Sequence, residues 1–299
     1  MSLNDFEIIQ NIGNEEKGLI FKVRRKKDRI IYALKTIKFQ NLDKIAKKSV
    51  INEIKIISSL NHPNIVEFKE AFFDKASNSL NLILEFPNNG NLSNKINFAI
   101  KNKMFLEECI IWNVLTQILH GLSYLKKKRI LHRNLKTKNI FLTKLRLVKI
   151  TDFNACYILE KNKMATSQVG TPFYTAPEIW NDQPYDYKCD IWSLGCIIYE
   201  MATLSLPFTG DNIETLYENI MSKKLKPIPD FYSENLKNII MNMLTFDPSK
   251  RPNVDILLNY PKIKETTNQL KSVYENYKIS KKKKFKKKKN LSTKKNNSK

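Results

Sequence analysis

Cysteine, histidine and long apolar runs are scarce in this sequence, and each scarcity excludes a class of protein. The four cysteines show no C-x-x-C or Cys/His spacing, so we expect free thiols in a reducing compartment rather than a zinc site. Three histidines are too few to favour a histidine-built metal centre. No run approaches about eighteen uncharged apolar residues, so no membrane span is predicted. The first residues, MSLNDFEIIQ, hold acids where a signal peptide would be basic.

Positive charge is abundant but unevenly distributed along the 299 residues. Residues 278–299 contain twelve lysines and no acid, which leaves +11 of the net +23 for the rest of the chain. A block of like charges with few apolar residues cannot build a core, so we predict a basic, disordered tail at 262–299. Within that tail only KETTNQLKSVYENYK could form a helix.

The lysine runs of the tail allow three interpretations. Such runs bind polyanions by charge, they contact import receptors, or they serve only as a solvated, solubilising segment. The stretch KKKKFKKKK resembles a nuclear localisation signal, although that pattern is not specific. We therefore expect the protein in the cytoplasm, the nucleus or both.

Two kinds of hydrophobic pattern divide the rest of the chain. Residues 6–40 alternate apolar and polar in short runs with hairpin-length breaks, which predicts antiparallel strands. Residues 43–60 have apolar side chains at helical spacing, and two more strand-like runs follow before the pattern turns helical. Pro, Gly and Asn cluster at the joint, 86–91. The predicted fold is α+β and bilobal: an antiparallel-sheet N-lobe with one main helix (4–86), then a larger, mostly helical C-lobe (87–261).

Six short motifs occur in a fixed order within residues 4–261. Together they resemble the protein kinase domain, which carries these motifs in this order. The sequences around these motifs are similar to those of the NIMA-related (NEK) serine/threonine kinases, for example at LNHPNIV, KKRILHR and VGTPFYTAPE. Each motif alone would fit an ordinary strand, helix or turn, but their shared order is specific. The motifs are Lys35 in YALK, Glu53 on the following helix, HRNLKTKN at 132–139, TDFN at 151–154, APE at 176–178, and DIWSLG from Asp190.

The resemblance implies a site for ATP and Mg²⁺. Lys35 would hold the α- and β-phosphates, and Glu53 would orient that lysine as an ion pair. Asn139 and Asp152 would supply oxygen ligands to Mg²⁺, and Lys136 would face the γ-phosphate. The resemblance assigns further ATP-binding positions to Gly13, Gly18, Ile20, Ala33, Leu84 as gatekeeper, Glu85 and Phe86 at the hinge, and Phe141.

Asn134 is the departure with the largest chemical consequence. It stands where the family has a catalytic Asp that orients the substrate hydroxyl and accepts its proton. Asn has nearly the same shape and can accept a hydrogen bond, but it cannot accept a proton at neutral pH. General-base help is typically worth about 10²–10⁴-fold in rate, so phosphoryl transfer is expected to fall by that order.

Two further departures concern the backbone. The loop GNEEKG keeps Gly13 and Gly18 but has Glu15 at the middle glycine position. A side chain there hinders the approach of backbone amides to phosphates, so weaker ATP binding is expected. DFG appears as DFN, with Asn154 at a position that often needs unusual backbone angles. Asn tolerates left-handed geometry better than most residues, so this departure is the mildest for geometry, although it could restrict switching between loop states.

Residues 152–178 correspond to the activation segment of the family. Phosphate on Thr166 or Ser167 would pair with Arg133 and order the segment. Ser167 is favoured, because its spacing from the Gly-Thr-Pro sequence at 170–172 matches a regulatory serine in some NEK kinases. Without that modification these are ordinary polar loop residues. Thr171 matches the family's substrate-pocket threonine.

Some matched positions imply structural roles. The resemblance gives His132 a packing role, and it makes Glu178 and Arg251 a buried ion pair within the C-lobe.

Two functions remain open on the sequence alone. The first is a NEK-like serine/threonine kinase domain that binds Mg·ATP and transfers phosphate to protein Ser or Thr at a reduced rate. The second is a catalytically inactive pseudokinase that acts as a scaffold or allosteric regulator of a partner protein. Asn134 discriminates best between them, because restoring Asp should raise transfer only if the rest of the site is competent.

Overall fold

A computed structural model describes residues 2–15, 18–39, 42–161, 163–167 and 169–281. Contacts divide the chain into two units. The first comprises residues up to 88 together with those from 272 onward, and the second comprises residues 89–271. The first division falls two residues after the predicted lobe boundary, inside the Pro, Gly and Asn cluster at 86–91.

The first unit is built on one antiparallel sheet. Helix α1 (Lys44–Ser58) lies in sequence between the third and fourth strands. The strands are β1 (Phe6–Glu15), β2 (Gly18–Arg25), β3 (Ile31–Lys38), β4 (Phe68–Asp74) and β5 (Ser79–Glu85). Their order across the sheet is β1-β2-β3-β5-β4, with every neighbouring pair antiparallel.

Alternation along β3 sorts its side chains onto the two faces of the sheet. Leu34 packs in one apolar cluster with Val23 of β2. Ile37 lies on the opposite face and packs in a second cluster with Val50 of α1. Because Lys35 and Ile37 are two residues apart, both point to the face that α1 covers.

The second unit is mainly helical, with two short two-stranded sheets. Strand β6 (Ile130–Leu131) pairs with β9 (Tyr157–Ile158), and β7 (Ile140–Leu142) pairs with β8 (Val148–Ile150). Its helices are α2 (Leu92–Lys101), α3 (Glu108–Lys127), α4 (Pro177–Trp180), α5 (Lys188–Thr203), α6 (Ile213–Ser222), α7 (Glu234–Met243), α8 (Val254–Leu258) and α9 (Pro261–Gln269).

Helix α5 forms the centre of the second unit. Nearly every residue from Cys189 to Ala202 is buried, as expected of a helix that is apolar on all sides. The antiparallel sheet of the first unit and the helical second unit confirm the predicted α+β fold. No helix among the described residues is long and apolar enough to cross a membrane.

The disorder predicted from residue 262 onward is wrong for residues 262–281. These residues form α9 and a further helix, α10 (271–281), instead of a disordered tail. The physical reason is a stripe of side chains that become buried or half-buried, among them Ile263, Tyr274 and Tyr277. Composition hid this stripe, because the lysines between these residues dominate the average. Residues 282–299 lie outside the described part of the chain, so disorder there stays a prediction.

A buried ion pair braces the second unit, as the resemblance implied. The guanidinium of Arg251 donates to both carboxylate oxygens of Glu178, at 2.7 and 2.9 Å. The Arg251 side chain is fully buried and also donates to backbone carbonyls of Thr245 and Lys188. Glu178 and Lys188 both lie more than sixty residues before Arg251, so this guanidinium joins segments that are distant in sequence.

Removing one member of this pair should destabilise the domain strongly. Arg251→Met leaves the carboxylate of Glu178 buried without its cation, which typically costs about 3–5 kcal/mol. The measurement is chemical denaturation of the full chain. The matched control is Lys262→Met, because Lys262 pairs at 2.9 Å with Glu265 but both side chains are well exposed. That control should cost no more than about 1 kcal/mol. Equal losses in the two variants would contradict the prediction.

Candidate active site

Lys35 and Glu53 form a buried ion pair in the first unit. The Lys35 ammonium lies 2.7 Å from a carboxylate oxygen of Glu53, and the two side chains are only 4% and 6% exposed. Their meeting follows from the fold, because β3 turns Lys35 toward α1 and Glu53 is on the buried side of that helix. A buried charge pair requires such close partners, since burial alone penalises each ion.

The other predicted ATP-binding residues of the first unit lie on neighbouring strands. Gly13, Ile20 and Lys35 are successive register partners across β1, β2 and β3, so they form one row on one face of the sheet. Ala33 is opposite Leu84 on β5, on that same face. The alternation of the strands therefore brings these residues together.

Glu85 is the last residue of β5, and Phe86 follows it directly. The Glu85 amide donates to the Glu67 carbonyl at 2.8 Å, and the Glu67 amide donates back to the Glu85 carboxylate at 3.2 Å. The ring of Phe86 has the ammonium of Lys22 5.3 Å from its centre.

The two glycines of GNEEKG differ in why they are needed. A Cβ on Gly18 would lie 2.4 Å from the backbone oxygen of Thr36 on β3, so the sheet itself requires glycine there. A Cβ on Gly13 would meet only Ile20 at 3.8 Å, which is ordinary contact. Glu15 ends β1 opposite Gly18, and residues 16 and 17 lie outside the described ranges.

In the second unit, two predicted site residues donate to one carboxylate oxygen of a third. The side-chain amides of Asn134 and Asn139 both donate to Oδ2 of Asp152, at 2.8 and 3.0 Å. The Asn139 amide also donates to the backbone oxygen of Asn134 at 2.9 Å. An amide at position 134 can donate to Asp152, whereas a carboxylate would place a second negative charge there.

The other end of the Asn134 amide is also engaged. The Thr171 hydroxyl donates to Oδ1 of Asn134 at 3.0 Å, and the Lys136 ammonium donates to that hydroxyl at 2.9 Å. Lys136, Thr171, Asn134 and Asp152 thus form one hydrogen-bonded series. The structure places Thr171 of the activation segment directly against residues 132–139, which correspond to the catalytic loop of the family.

His132 fixes the backbone beside Asn134. Its Nε2 donates to the Thr151 carbonyl at 3.1 Å, and its Nδ1 accepts from the Asn134 amide at 3.3 Å. Burial lowers the pKa of His132, so the ring is neutral and can play both parts. Its ring also lies edge-on to Phe153, with centroids 5.1 Å apart, which agrees with a packing role.

The left-handed residue of the DFN motif is Asp152. It has φ +66°, whereas Asn154 is not among the described residues with positive φ. The tolerance of Asn154 for left-handed geometry is therefore not used here. The left-handed conformation lies two residues earlier, where the hydrogen bonds from Asn134 and Asn139 hold the Asp152 side chain. Asp tolerates this backbone region better than most residues.

Arg133 holds the activation segment through Ser167. Its guanidinium donates to the Ser167 hydroxyl at 2.7 Å, to the Ala155 carbonyl at 2.7 Å and to the Tyr185 hydroxyl at 3.1 Å. Tyr185 in turn donates to the Ser167 carbonyl at 2.7 Å. Thr166, the alternative modification site, is exposed. Phe141 lies apart from this group on β7, half-buried, opposite Lys149 of β8.

Comparison with known proteins decides the family. Residues 6–263 match the family model described as the protein kinase domain. The chain belongs to the protein kinase family. It is 37% identical to the probable serine/threonine-protein kinase nek2 of Dictyostelium discoideum, over 86% of this chain and 62% of that protein.

Two other relatives agree. The kinase domain is 36% identical to the serine/threonine-protein kinase Nek4 of Mus musculus, over 85% of this chain and 32% of that protein. It is 35% identical to the G2-specific protein kinase nimA of Emericella nidulans, over 87% of this chain and 41% of that protein. These relatives show a NIMA-related serine/threonine kinase domain. The chain spans less than two thirds of each relative's length.

One hydrogen-bonded cluster of this kinase domain, Tyr174, Glu200 and Thr137, was not predicted from the sequence. The Tyr174 hydroxyl donates to Glu200 of α5 at 2.6 Å and lies 3.1 Å from the Thr137 hydroxyl in the catalytic loop. Burial raises the pKa of both Glu200 and Tyr174. Tyr174 comes three residues after Thr171, so Glu200 ties that segment to the catalytic loop. Glu200 follows the apolar stretch 194–199 of α5, and an acid directly after such a stretch was the available signal.

The kinase domain offers ligands that suit Mg²⁺ but does not build a complete cage. Asp152 and Asn139 provide carboxylate and amide oxygens, which this hard cation prefers. Among the described residues no group of three or more His, Cys, Asp or Glu could hold a metal. Mg²⁺ usually keeps waters and takes further ligands from substrate phosphates, so two protein groups fit its use with a nucleotide.

The two loop glycines give a paired test. Gly18→Ala should destabilise the kinase domain by about 1–3 kcal/mol, because the new methyl group overlaps the backbone of β3. Gly13→Ala, the matched control, should change stability by less than about 1 kcal/mol. Chemical denaturation of both full-length variants makes the comparison, and equal stabilities would refute it. Any loss of nucleotide affinity in Gly13→Ala would then reflect hindered approach of the ligand.

Proposed function

We propose that this chain is a NEK-like serine/threonine kinase domain that binds Mg·ATP and transfers phosphate slowly to a Ser or Thr hydroxyl of a protein. The proposal rests on the hydrogen-bonded series of Lys136, Thr171, Asn134 and Asp152. Asn134 is hydrogen-bonded to both Asp152 and Thr171 in this loop, while its side chain cannot take a proton.

The retained residues divide the work of phosphoryl transfer. Lys35, held by Glu53, would bind the α- and β-phosphates, and Lys136 would face the γ-phosphate. Asp152 and Asn139 would hold Mg²⁺. Bound ATP would supply the phosphoryl group, and Mg²⁺ would neutralise negative charge that develops during transfer.

The missing step is proton acceptance. Transfer forms a bond between the substrate hydroxyl oxygen and the γ-phosphorus and breaks the bond to the β-phosphate oxygen. Oδ1 of Asn134 could accept a hydrogen bond from the substrate hydroxyl in place of the Thr171 hydroxyl. The proton must then leave to water or to a phosphoryl oxygen, which slows the reaction.

The scaffold alternative has an observation in its favour. The Oδ1 atom of Asn134 already accepts from the Thr171 hydroxyl, so a substrate hydroxyl must share that oxygen with Thr171 or replace it. A partner protein regulated without phosphate transfer would require neither. The lysine-rich residues 282–299 lie outside the described part of the chain. Contacts of the tail with polyanions or import receptors, and a cytoplasmic or nuclear location, stay predictions.

Restoring the carboxylate separates the two functions. Asn134→Asp should raise single-turnover phosphate transfer by about 10²–10⁴-fold, because it returns the proton acceptor. The measurement is transfer of radiolabelled γ-phosphate to a protein substrate by the full chain. Lys35→Met supplies the background and Asn134→Ala the variant with neither function. No gain over the unaltered chain would overturn the proposed catalysis and leave the scaffold function.

Phosphorylation at Ser167 should order the activation segment. A phosphate on this hydroxyl gains charge-assisted hydrogen bonds from Arg133, which already lies 2.7 Å from it. We expect slower amide exchange over residues 163–167 and 169–171 in Ser167-phosphorylated protein. Protein phosphorylated at Thr166 with Ser167→Ala is the matched control, since that site carries the same charge one residue away. Equal protection in the two forms would contradict Ser167 as the regulatory site.

A further inference from the structure

Helix α10 is packed against the segment that joins α1 to β4 in the first unit. The Tyr274 hydroxyl donates to Oδ1 of Asn64 at 2.9 Å, and Asn64 is completely buried. The Lys281 ammonium lies 3.3 Å from the Glu67 carboxylate and 3.3 Å from Oδ1 of Asn61. All three acceptors belong to the segment 59–67, so a single face of α10 holds that segment at both ends.

That face of α10 is distinct from its outer face. Val273, Tyr274, Tyr277 and Lys281 are half-buried and recur at helical spacing. Burial raises the pKa of Tyr274, so its hydroxyl remains a neutral donor. The other side of the helix is exposed, from Lys271 through Glu275 to Lys278 and Ile279.

The segment 59–67 connects two of the predicted nucleotide-binding groups. At its start, α1 carries Glu53, the partner of Lys35. At its end, Glu67 exchanges two hydrogen bonds with Glu85, through both backbone and carboxylate. Burial favours a higher pKa for Glu67, but the ammonium groups of Lys69 and Lys281 lower it, so Glu67 is ionised and can hold Lys281.

We propose that α10 is a positioning element of the first unit. It fixes the segment 59–67, and through that segment it sets α1, with Glu53 against Lys35, and the position of Glu85 at the end of β5. Tyr274 and Lys281 are its positioning residues. The consequence for nucleotide affinity rests on the proposed function, whereas the consequence for the order of α1 does not.

The contacts differ in expected weight. The Tyr274 hydrogen bond is formed on a fully buried partner, and losing such a bond costs about 1 kcal/mol, a factor of about five. The Lys281 pair is partly exposed and shares Glu67 with Lys69, so it should contribute less. A positioning role therefore predicts a graded response, larger for Tyr274 than for Lys281.

Amide hydrogen exchange of the full chain without nucleotide tests the proposal. Tyr274→Phe should accelerate exchange in residues 44–67 about fivefold, and Lys281→Gln should accelerate it by less. Lys278→Gln is the matched control, because it makes the same charge change on the exposed face of the same helix. It should leave exchange unchanged.

A second measurement connects amide exchange with ligand binding. The affinity for Mg·ATP, measured by calorimetry, should fall by about the same factor as exchange accelerates.

Equal exchange in Tyr274→Phe and Lys278→Gln would overturn the proposal, as would acceleration spread evenly over β1 and β2. Absence of Mg·ATP binding by the unaltered chain would instead overturn the proposed function, leaving the exchange result to decide the role of α10.

Discussion

The candidate active site depends on one buried carboxylate, that of Asp190. Its two oxygens accept the backbone amides of His132 and Arg133, each at 2.8 Å. Burial raises the pKa of Asp190, and these two N–H groups oppose that shift. Hydrogen bonds to an ionised acceptor are about twice as strong as neutral ones. They fix the backbone immediately before Asn134 and allow Arg133 its left-handed conformation, φ +62°.

The directions of three side chains follow from that anchor. With the backbone fixed, the His132 ring reaches Thr151, the Arg133 guanidinium reaches Ser167, and the Asn134 amide reaches Asp152. An amide at 134 suits this frame in one respect, because it donates to Asp152 instead of repelling it. The same exchange removes the proton acceptor. The loop therefore gains internal hydrogen bonding where the family has a reactive group.

Much of this was predictable from sequence, and the failures have physical causes. Strand alternation and helical spacing predicted the strand that carries Lys35 and the helix that carries Glu53, because both patterns are local. The resemblance supplied their pairing, which the structure contains. The ion pair of Glu178 and Arg251 was identified by motif alone and is confirmed. The left-handed turn at Asp152 depends on hydrogen bonds from residues more than ten positions away, which local propensity cannot register.

The C-terminal error had a different origin. Residues 262–281 are polar on average, and the tail that follows them is strongly basic, so composition predicted disorder. Order there comes from a few well-spaced side chains whose partners, such as Asn64, lie some two hundred residues earlier in the chain. No local window of sequence contains both halves of such a contact.

The membership of α10 in the first unit bears on how fragments of this protein should be cut. A fragment that ended at residue 263, where the family match ends, would contain every kinase motif. It would nevertheless lack Tyr274, which donates to the buried Asn64, and Lys281, so Glu67 would be paired with Lys69 alone of its two lysines. Melting curves or ligand titrations of that fragment would describe an incomplete N-terminal sheet domain. A fragment of this kinase should therefore keep α10 and extend at least to residue 281.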